Sequence, residues 1–342
     1  MPDLNDIAAD PSWLPHAIDW QAQRMQFLRI ERETLAEPGF LADRKPATQD
    51  EAAWLPLSQV ASMDLPEGNL HFIFHTAFCR STLLVRALNL PGTSAGLSEP
   101  GILAALANAG VQPGQPGAAL VGPVLRLLAR PWGEGEAVFV KPTNHANMLM
   151  PALLQAMLQA RGVLMTNSLE AFLASVIRKG MMGRRWARQL YLEMQSYTGM
   201  DLGMDGREQF AMTDLQAAGL AWFLNQRWFT LHASGRILGV AADRLRVLDG
   251  DDFNAQRVQA LEAVLQHCSG QAAPADLIAE TIRGPVFARH SKLGGDFGDK
   301  EAADAARSGS AVNDEEIAQV AQWVGMIAQQ AGIEVPVRQT LL

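Results

Sequence analysis

The pattern of apolar and polar positions divides the chain into a helical opening, a long stretch where strand-like and helix-like runs alternate, and a closing helix. From 15 to 35 the residues Ile18, Trp20, Met25, Phe27 and Leu28 suggest an amphipathic helix, and a second is expected over 49–62. Pro66-Glu67-Gly68-Asn69 then breaks the chain, so residues 1–68 read as an N-terminal helical preface and 69–342 as the main domain. Within the main domain, strand-like runs are expected at 70–74, 93–97, 137–141, 162–166 and 237–243. Helix-like runs are expected at 81–88, up to about 130 after a Gly/Pro/Gln-rich loop at 111–118, and at 146–159, 168–179, 213–234 and 313–331. Strands alternating with helices predict an α/β fold, with three layers, a mainly parallel sheet and additional helices.

The chemistry gathers at the ends of the expected strands. The stretch NLHFIFHTAFCRSTLLVRALNL, Asn69 to Leu90, runs strand, short turn, helix, which makes an anion site because the first helical N–H groups lack intrahelical partners. Ser81 and Thr82 stand where helices favour hydroxyl caps, and Arg80 adds a planar cation suited to oxyanions. An ordinary βα turn with a surface arginine accounts for the same spacing. The glycines of a Walker loop are absent. Glu99, in Ser98-Glu99-Pro100, stands either as a base beside a strand end or as a first-turn helix residue after a Ser cap. Lys141 closes the run Ala137-Val138-Phe139-Val140 and projects into the edge crevice or snorkels to solvent.

Other features carry two readings as well. Asp243, at the end of the expected fifth strand, is the best Walker-B-like feature and sustains a Mg-dependent nucleotide-binding phosphotransferase as the rival function. Arg178, Lys179, Arg184, Arg185 and Arg188 line an anionic channel or form a solvated face. Trp222, Phe223, Trp228 and Phe229 pack a core.

Composition narrows the field. With 48% hydrophobic residues in 342, the chain buries a large core, and its net charge of −8 argues against an electrostatic nucleic-acid binder. Two distant cysteines, Cys79 and Cys268, give neither a disulfide framework nor a metal site; Cys79 reads as a small buried space-filler before a reactive thiol. No apolar run reaches the roughly 18 residues of a membrane span and no signal pattern opens the chain, so a soluble, cytoplasmic protein with no membrane partner is expected.

The turn at 76–82 resembles the 5′-phosphosulfate loop of the P-loop sulfotransferase superfamily, commonly Pro-Arg/Lys-Ser-Gly-Thr-Thr before an apolar helix. Ser81 and Thr82 fall on the paired threonines, Phe78 on the family's basic residue and Arg80 on its glycine. The resemblance implies a P-loop-type α/β domain that transfers a sulfuryl group from 3′-phosphoadenosine 5′-phosphosulfate (PAPS) to a hydroxyl or amine, without a metal. It implies donor binding by Thr76, Ala77, Phe78, Cys79, Arg80, Ser81 and Thr82, and catalytic roles for Glu99 as the acceptor's base and for Lys141 and Arg80 as charge stabilisers. In the family a strand-end arginine and a helix serine hold the 3′-phosphate. Here Ser175 stands for the serine, while Thr166 and Asn167 occupy the arginine's place. A late basic loop, Arg289-His290-Ser291-Lys292-Leu293-Gly294-Gly295, matches the family's nucleotide-closing loop in character, which brings in Lys292. A non-catalytic nucleotide-binding module is the third reading.

Overall fold

The computed structural model describes residues 2–236, 240–288, 311–337 and 340–342. Its first 68 residues are built on strands where helices were expected. Strands β1 (Trp13–Asp19), β2 (Arg24–Arg29) and β3 (Ala52–Pro56) form an antiparallel sheet in the order β1-β2-β3; helix is confined to Leu4–Ala9, Leu57–Ala61 and three short 3-10 turns. The apolar positions that suggested a helix satisfy a period of two as well, since Met25 and Phe27 face the core while Arg24 and Arg29 face water. The decision is made by the turn at 20–23. Asp19 accepts a hydrogen bond from the Ala22 amide at 2.9 Å, and Gln23 lies at φ 51°, which closes a hairpin.

Arg130 ties this segment to the main domain. Its buried guanidinium donates to the carbonyls of Ile7, Asp10, Trp13 and Leu127, and burial pushes its pKa down to about 10. Arg32 makes a second tie, bridging Glu136 at 2.5 Å and donating to the Ser94 carbonyl at 2.8 Å on the edge of the main sheet.

The main sheet consists of β4 (Leu70–His75), β5 (Ser94–Ser98), β6 (Ala137–Lys141), β7 (Gly162–Thr166) and β8 (Leu245–Asp249), all parallel, in the order β5-β6-β4-β7-β8. Side chains alternate cleanly between its two faces. Phe72, Phe74, Val138, Val140, Leu164 and Val247 join one core, packed against the helices Gly101–Ala109, Val121–Leu128, Leu169–Arg178 and Asp214–Ala233; that core runs on into the N-terminal sheet. Ile73, Phe139, Val163, Met165 and Leu248 join a second core beneath the helices Ser81–Ala87 and Arg257–Ser269. Strands covered on both faces are buried throughout, as these are, and mostly apolar; the exceptions in β4 and β6 are His71, His75 and Lys141. The 81–87 helix lies so close to β5 that a side chain at Gly96 would begin 1.9 Å from the Val85 carbonyl oxygen.

The last strand corrects the expectation for 237–243. Residues 237–239 lie outside the described residues, while Ala242–Arg244 is a 3-10 turn and the strand begins at Leu245. Asp243 therefore precedes β8 at the amino edge of the sheet, paired with Arg161 at 3.4 Å, and the aspartate that ends the strand is Asp249. No helix among the described residues is long and apolar enough to cross a membrane.

Two buried histidines give the fold an acid limit. The His71 Nδ1 accepts from the Arg161 amide and its Nε2–H donates to Asn69; His232 donates through Nδ1 to the Trp228 carbonyl and leaves Nε2 without a partner among the described residues. Burial, abetted for His71 by His267 and Arg161, lowers their pKa values to about 3 and about 4. Both values lie below that of an unfolded histidine. The neutral rings' contribution is therefore complete above about pH 6.5 and is lost as the pH falls, at roughly 1.4 kcal/mol per pH unit for each ring. Urea midpoints should drop steeply between pH 6.5 and 4.5, whereas the NMR shifts of these two rings should stay flat from pH 6.5 down to about pH 5; ring titration near pH 6.5 in the folded protein would refute the assignment.

Candidate functional site

The order β5-β6-β4-β7-β8 creates a crevice at the carboxyl edge, because the chain leaves β4 toward β5 and leaves the neighbouring β7 toward β8. The turn of residues 76–80 sits at its head. Thr76 is pinned to β7 through its amide, which donates to the Met165 carbonyl at 3.0 Å, and through its hydroxyl, 3.1 Å from Asn167 Oδ1. The Ala77 amide donates to His75 Nδ1, so the His75 ring carries its proton on Nε2 and gives it to the Pro142 carbonyl.

Without a single glycine, the turn takes up left-handed backbone at Ala77 (φ 73°), Phe78 (φ 55°) and Arg80 (φ 62°). Each such residue costs of order 1–3 kcal/mol and persists only where its surroundings over-determine it. The surroundings here do so. The Phe78 ring packs edge-on against Trp186 at 5.1 Å and tilted against Phe172 at 5.7 Å. The buried Cys79 thiol donates to the Met165 carbonyl, and Gly250 presses on the turn so closely that a Cβ there would begin 2.6 Å from the Cys79 carbonyl oxygen. Burial raises the Cys79 pKa against the pull of Ser81 and Lys141, which leaves a protonated, packed thiol.

Two local expectations change. The N-cap of the 81–87 helix is Arg80, with no side-chain cap; Ser81 and Thr82 are its first two residues, both buried, and do not cap it. The helix after β5 starts at Gly101 with Pro100 as its cap, so Glu99 is not a first-turn residue. It lies instead in the left-handed region, φ 49°, with its amide donating to the Lys141 carbonyl at 2.7 Å and its carbonyl accepting from Ala42 at 3.0 Å.

That backbone brings the two strand-end charges together. Lys141 is fully buried, its Nζ donates to Glu99 Oε1, and it sits 5.5 Å above the Phe40 ring. It does not snorkel. Burial lowers the Lys141 pKa, while the Glu99 carboxylate, through its charge and its hydrogen bond, works in the opposite direction. Arg80, in contrast, reaches sideways to Asp251 at 3.2 Å, partly exposed, just beyond the end of β8.

The residues expected for the far end of a donor are differently employed. Asn167 accepts from Thr76 through Oδ1 and from Trp222 Nε1 through its carbonyl, leaving Nδ2 buried without a partner among the described residues. The Ser175 hydroxyl donates to the Ala171 carbonyl within its own helix and accepts from Arg178 Nη2 at 2.5 Å. Arg188 is held by Asp214 and the Met212 carbonyl. Lys292 and its loop lie outside the described residues.

The structure adds groups that the strand-end survey passed over. Asn144 and Asn147 donate to the His75 carbonyl at 2.6 and 3.0 Å; Asn147 also reaches Asn225, and Gln226 donates to Thr166 Oγ1. Asn144-x-x-Asn147 follows directly on Lys141-Pro142 at a ligand-binding sheet edge, and Asn225-Gln226 interrupts a helix otherwise apolar over Trp222–Leu224, which are readable signals. His145 Nδ1 lies 3.1 Å from Glu193 Oε2 at the rim.

The packing of Gly250 on the turn is directly testable. Gly250→Ala should cost about 1–3 kcal/mol in urea unfolding and should speed iodoacetamide labelling of native Cys79, which is otherwise protected. Unchanged stability and labelling would show that β8 does not brace the turn.

No protein-family model matches the chain, and no curated protein sequence matches it. Among solved structures the chain is similar to a sulfotransferase domain from the curacin biosynthetic pathway, at 12% identity and a TM-score of 0.41, over 80% of this chain and 100% of that domain.

Proposed function

We propose that the chain transfers a sulfuryl group from a nucleoside 5′-phosphosulfate, of which PAPS is the donor implied by the sequence resemblance, to a hydroxyl or amine of a small acceptor. The observation that carries this reading is the buried Lys141 paired with the partly exposed Glu99 beside the left-handed turn. A cation and a base are held there within one hydrogen bond of each other, at the edge where α/β sheets bind ligands. In the step proposed, the acceptor's oxygen or nitrogen bonds to sulfur while the bond from sulfur to the bridging phosphate oxygen breaks, and that oxygen leaves with the electron pair. The acceptor's proton goes to Glu99. Lys141 turns its charge from the carboxylate to the leaving oxygen, where a preorganised ammonium in a dry site stabilises developing charge. Ser81, Thr82 and the amides at the start of the 81–87 helix receive the remaining oxyanion oxygens. Arg80 adds charge from the rim once it exchanges Asp251 for the donor.

Glu99→Gln keeps the shape and a hydrogen bond to Lys141 but takes up no proton, so turnover should fall by about 10²–10⁴-fold. Calorimetric affinity for a 5′-phosphorylated adenosine nucleotide should persist, and that binding doubles as the check on folding. Normal turnover in the bound variant would remove Glu99 as the base. Excess chelator should leave turnover unchanged, whereas loss restored by Mg²⁺ would favour metal-dependent phosphoryl transfer.

A further inference from the structure

A second cavity lies on the β7–β8 side of the same edge. It is a cleft of about 260 Å³, walled by Asn167, Ser168, Glu170, Trp222 and Asp249 with apolar cover from Val324. It adjoins the turn through Asn167, whose side chain bridges to Thr76. The opposite side of the turn is filled by Lys141, Glu99 and Phe40, where the acceptor has to enter. A nucleoside whose 5′ end rests on the turn therefore extends toward this cleft.

The wall that the described residues make is acidic, which suits a hydroxyl better than a phosphate monoester. Among the described residues the cleft carries two carboxylates, Glu170 and Asp249, and no cation. Asp251 and Asp252 follow directly and add to the negative field at Asp249. Arg178 is turned to Ser175, and Arg80 is on Asp251. In nucleotide sites generally, a carboxylate reads a free ribose hydroxyl, whereas an arginine is what accommodates a phosphate on that hydroxyl. Asn167 Nδ2, unpaired among the described residues and on a residue 4% exposed, adds a buried donor beside those two acceptors.

Resting on the donor reading above, we infer that this cleft takes the ribose and base of a nucleoside whose 2′ and 3′ hydroxyls are free, with Glu170 and Asp249 accepting hydrogen bonds from them. The donor is then an adenosine 5′-phosphosulfate without the 3′-phosphate. A 3′-phosphate would bring about two further negative charges against the two carboxylates.

The test is titration calorimetry of the full chain with adenosine 5′-phosphate and with adenosine 3′,5′-bisphosphate, repeated on Asp249→Asn and Glu170→Gln. Asp249 also caps the helix after β8, and asparagine caps equally well, so that variant retains the local fold. The monophosphate should bind about tenfold more tightly than the bisphosphate, as repulsion worth about 1.4 kcal/mol implies, and the gap should narrow in both variants. Equal or tighter binding of the bisphosphate to the unmodified chain overturns the inference while leaving the donor reading intact. A gap that the variants do not narrow overturns the role of the two carboxylates. Binding of neither nucleotide overturns the donor reading and this inference with it.

Discussion

A lysine ammonium sealed from water is the constraint around which the carboxyl edge is arranged. Stripping a charge of its hydration costs several kcal/mol, and the structure offsets that only by bringing a carboxylate to it in good geometry. Glu99 can do so because its backbone turns into the left-handed region directly after β5, anchored by its amide to the Lys141 carbonyl. The seal is completed from the far end of the chain. Phe40 lies under the ammonium, and the Ala42 amide holds the Glu99 carbonyl. The N-terminal segment thus walls the Lys141–Glu99 pair, and Arg130 and Arg32 tie that segment to the main domain.

The same economy explains the turn that faces this pair. Glycines would adopt its backbone without cost, but they would also let it relax. With Ala77, Phe78 and Arg80 in those positions the conformation has to be imposed from outside, and the imposing groups come from every neighbouring layer: Phe172 and Trp186 on one side, Met165 below, Gly250 beyond. A turn so held arrives preorganised. For transfer chemistry that is useful, because donors already aimed at an oxyanion need no reorganisation at the moment of reaction.

Much of this frame is legible in the residues and some of it is not. β6 and β7 coincide with the runs 137–141 and 162–166, since a strand covered on both faces must be continuously apolar and little else in the chain is. The β8 segment, Leu245-Arg246-Val247-Leu248-Asp249, lies at the sheet's edge with Arg246 and Asp249 only partly buried, and so carries polar residues that the apolar run 237–240 lacks; the purer run drew the expectation away. The N-terminal strands were missed for a different reason: the residues fit two periods, and a hairpin turn at 20–23 that carries no glycine decided between them. The turn between β4 and the 81–87 helix was legible from the order of apolar and polar residues alone. Its left-handed backbone was not, because the usual signal for it is glycine and the chain uses packing instead.

These features leave the edge electrically divided. On the β6 side a buried cation stands behind its carboxylate; on the β8 side Asp249, Asp251 and Asp252 gather, and the Arg80–Asp251 bridge at 3.2 Å marks the border between them. Under the proposed function, a donor with charge at one end and hydroxyls at the other would turn its hydroxyls to the β8 side, because those carboxylates repel an anion while the Lys141 charge on the β6 side is balanced by Glu99. While it pairs with Asp251 the border arginine screens the acidic side. Under the proposed function, its exchange to an incoming oxyanion would expose that carboxylate and deepen the contrast, so that charge at the transferred end would be rewarded and charge at the nucleoside end penalised by one and the same movement.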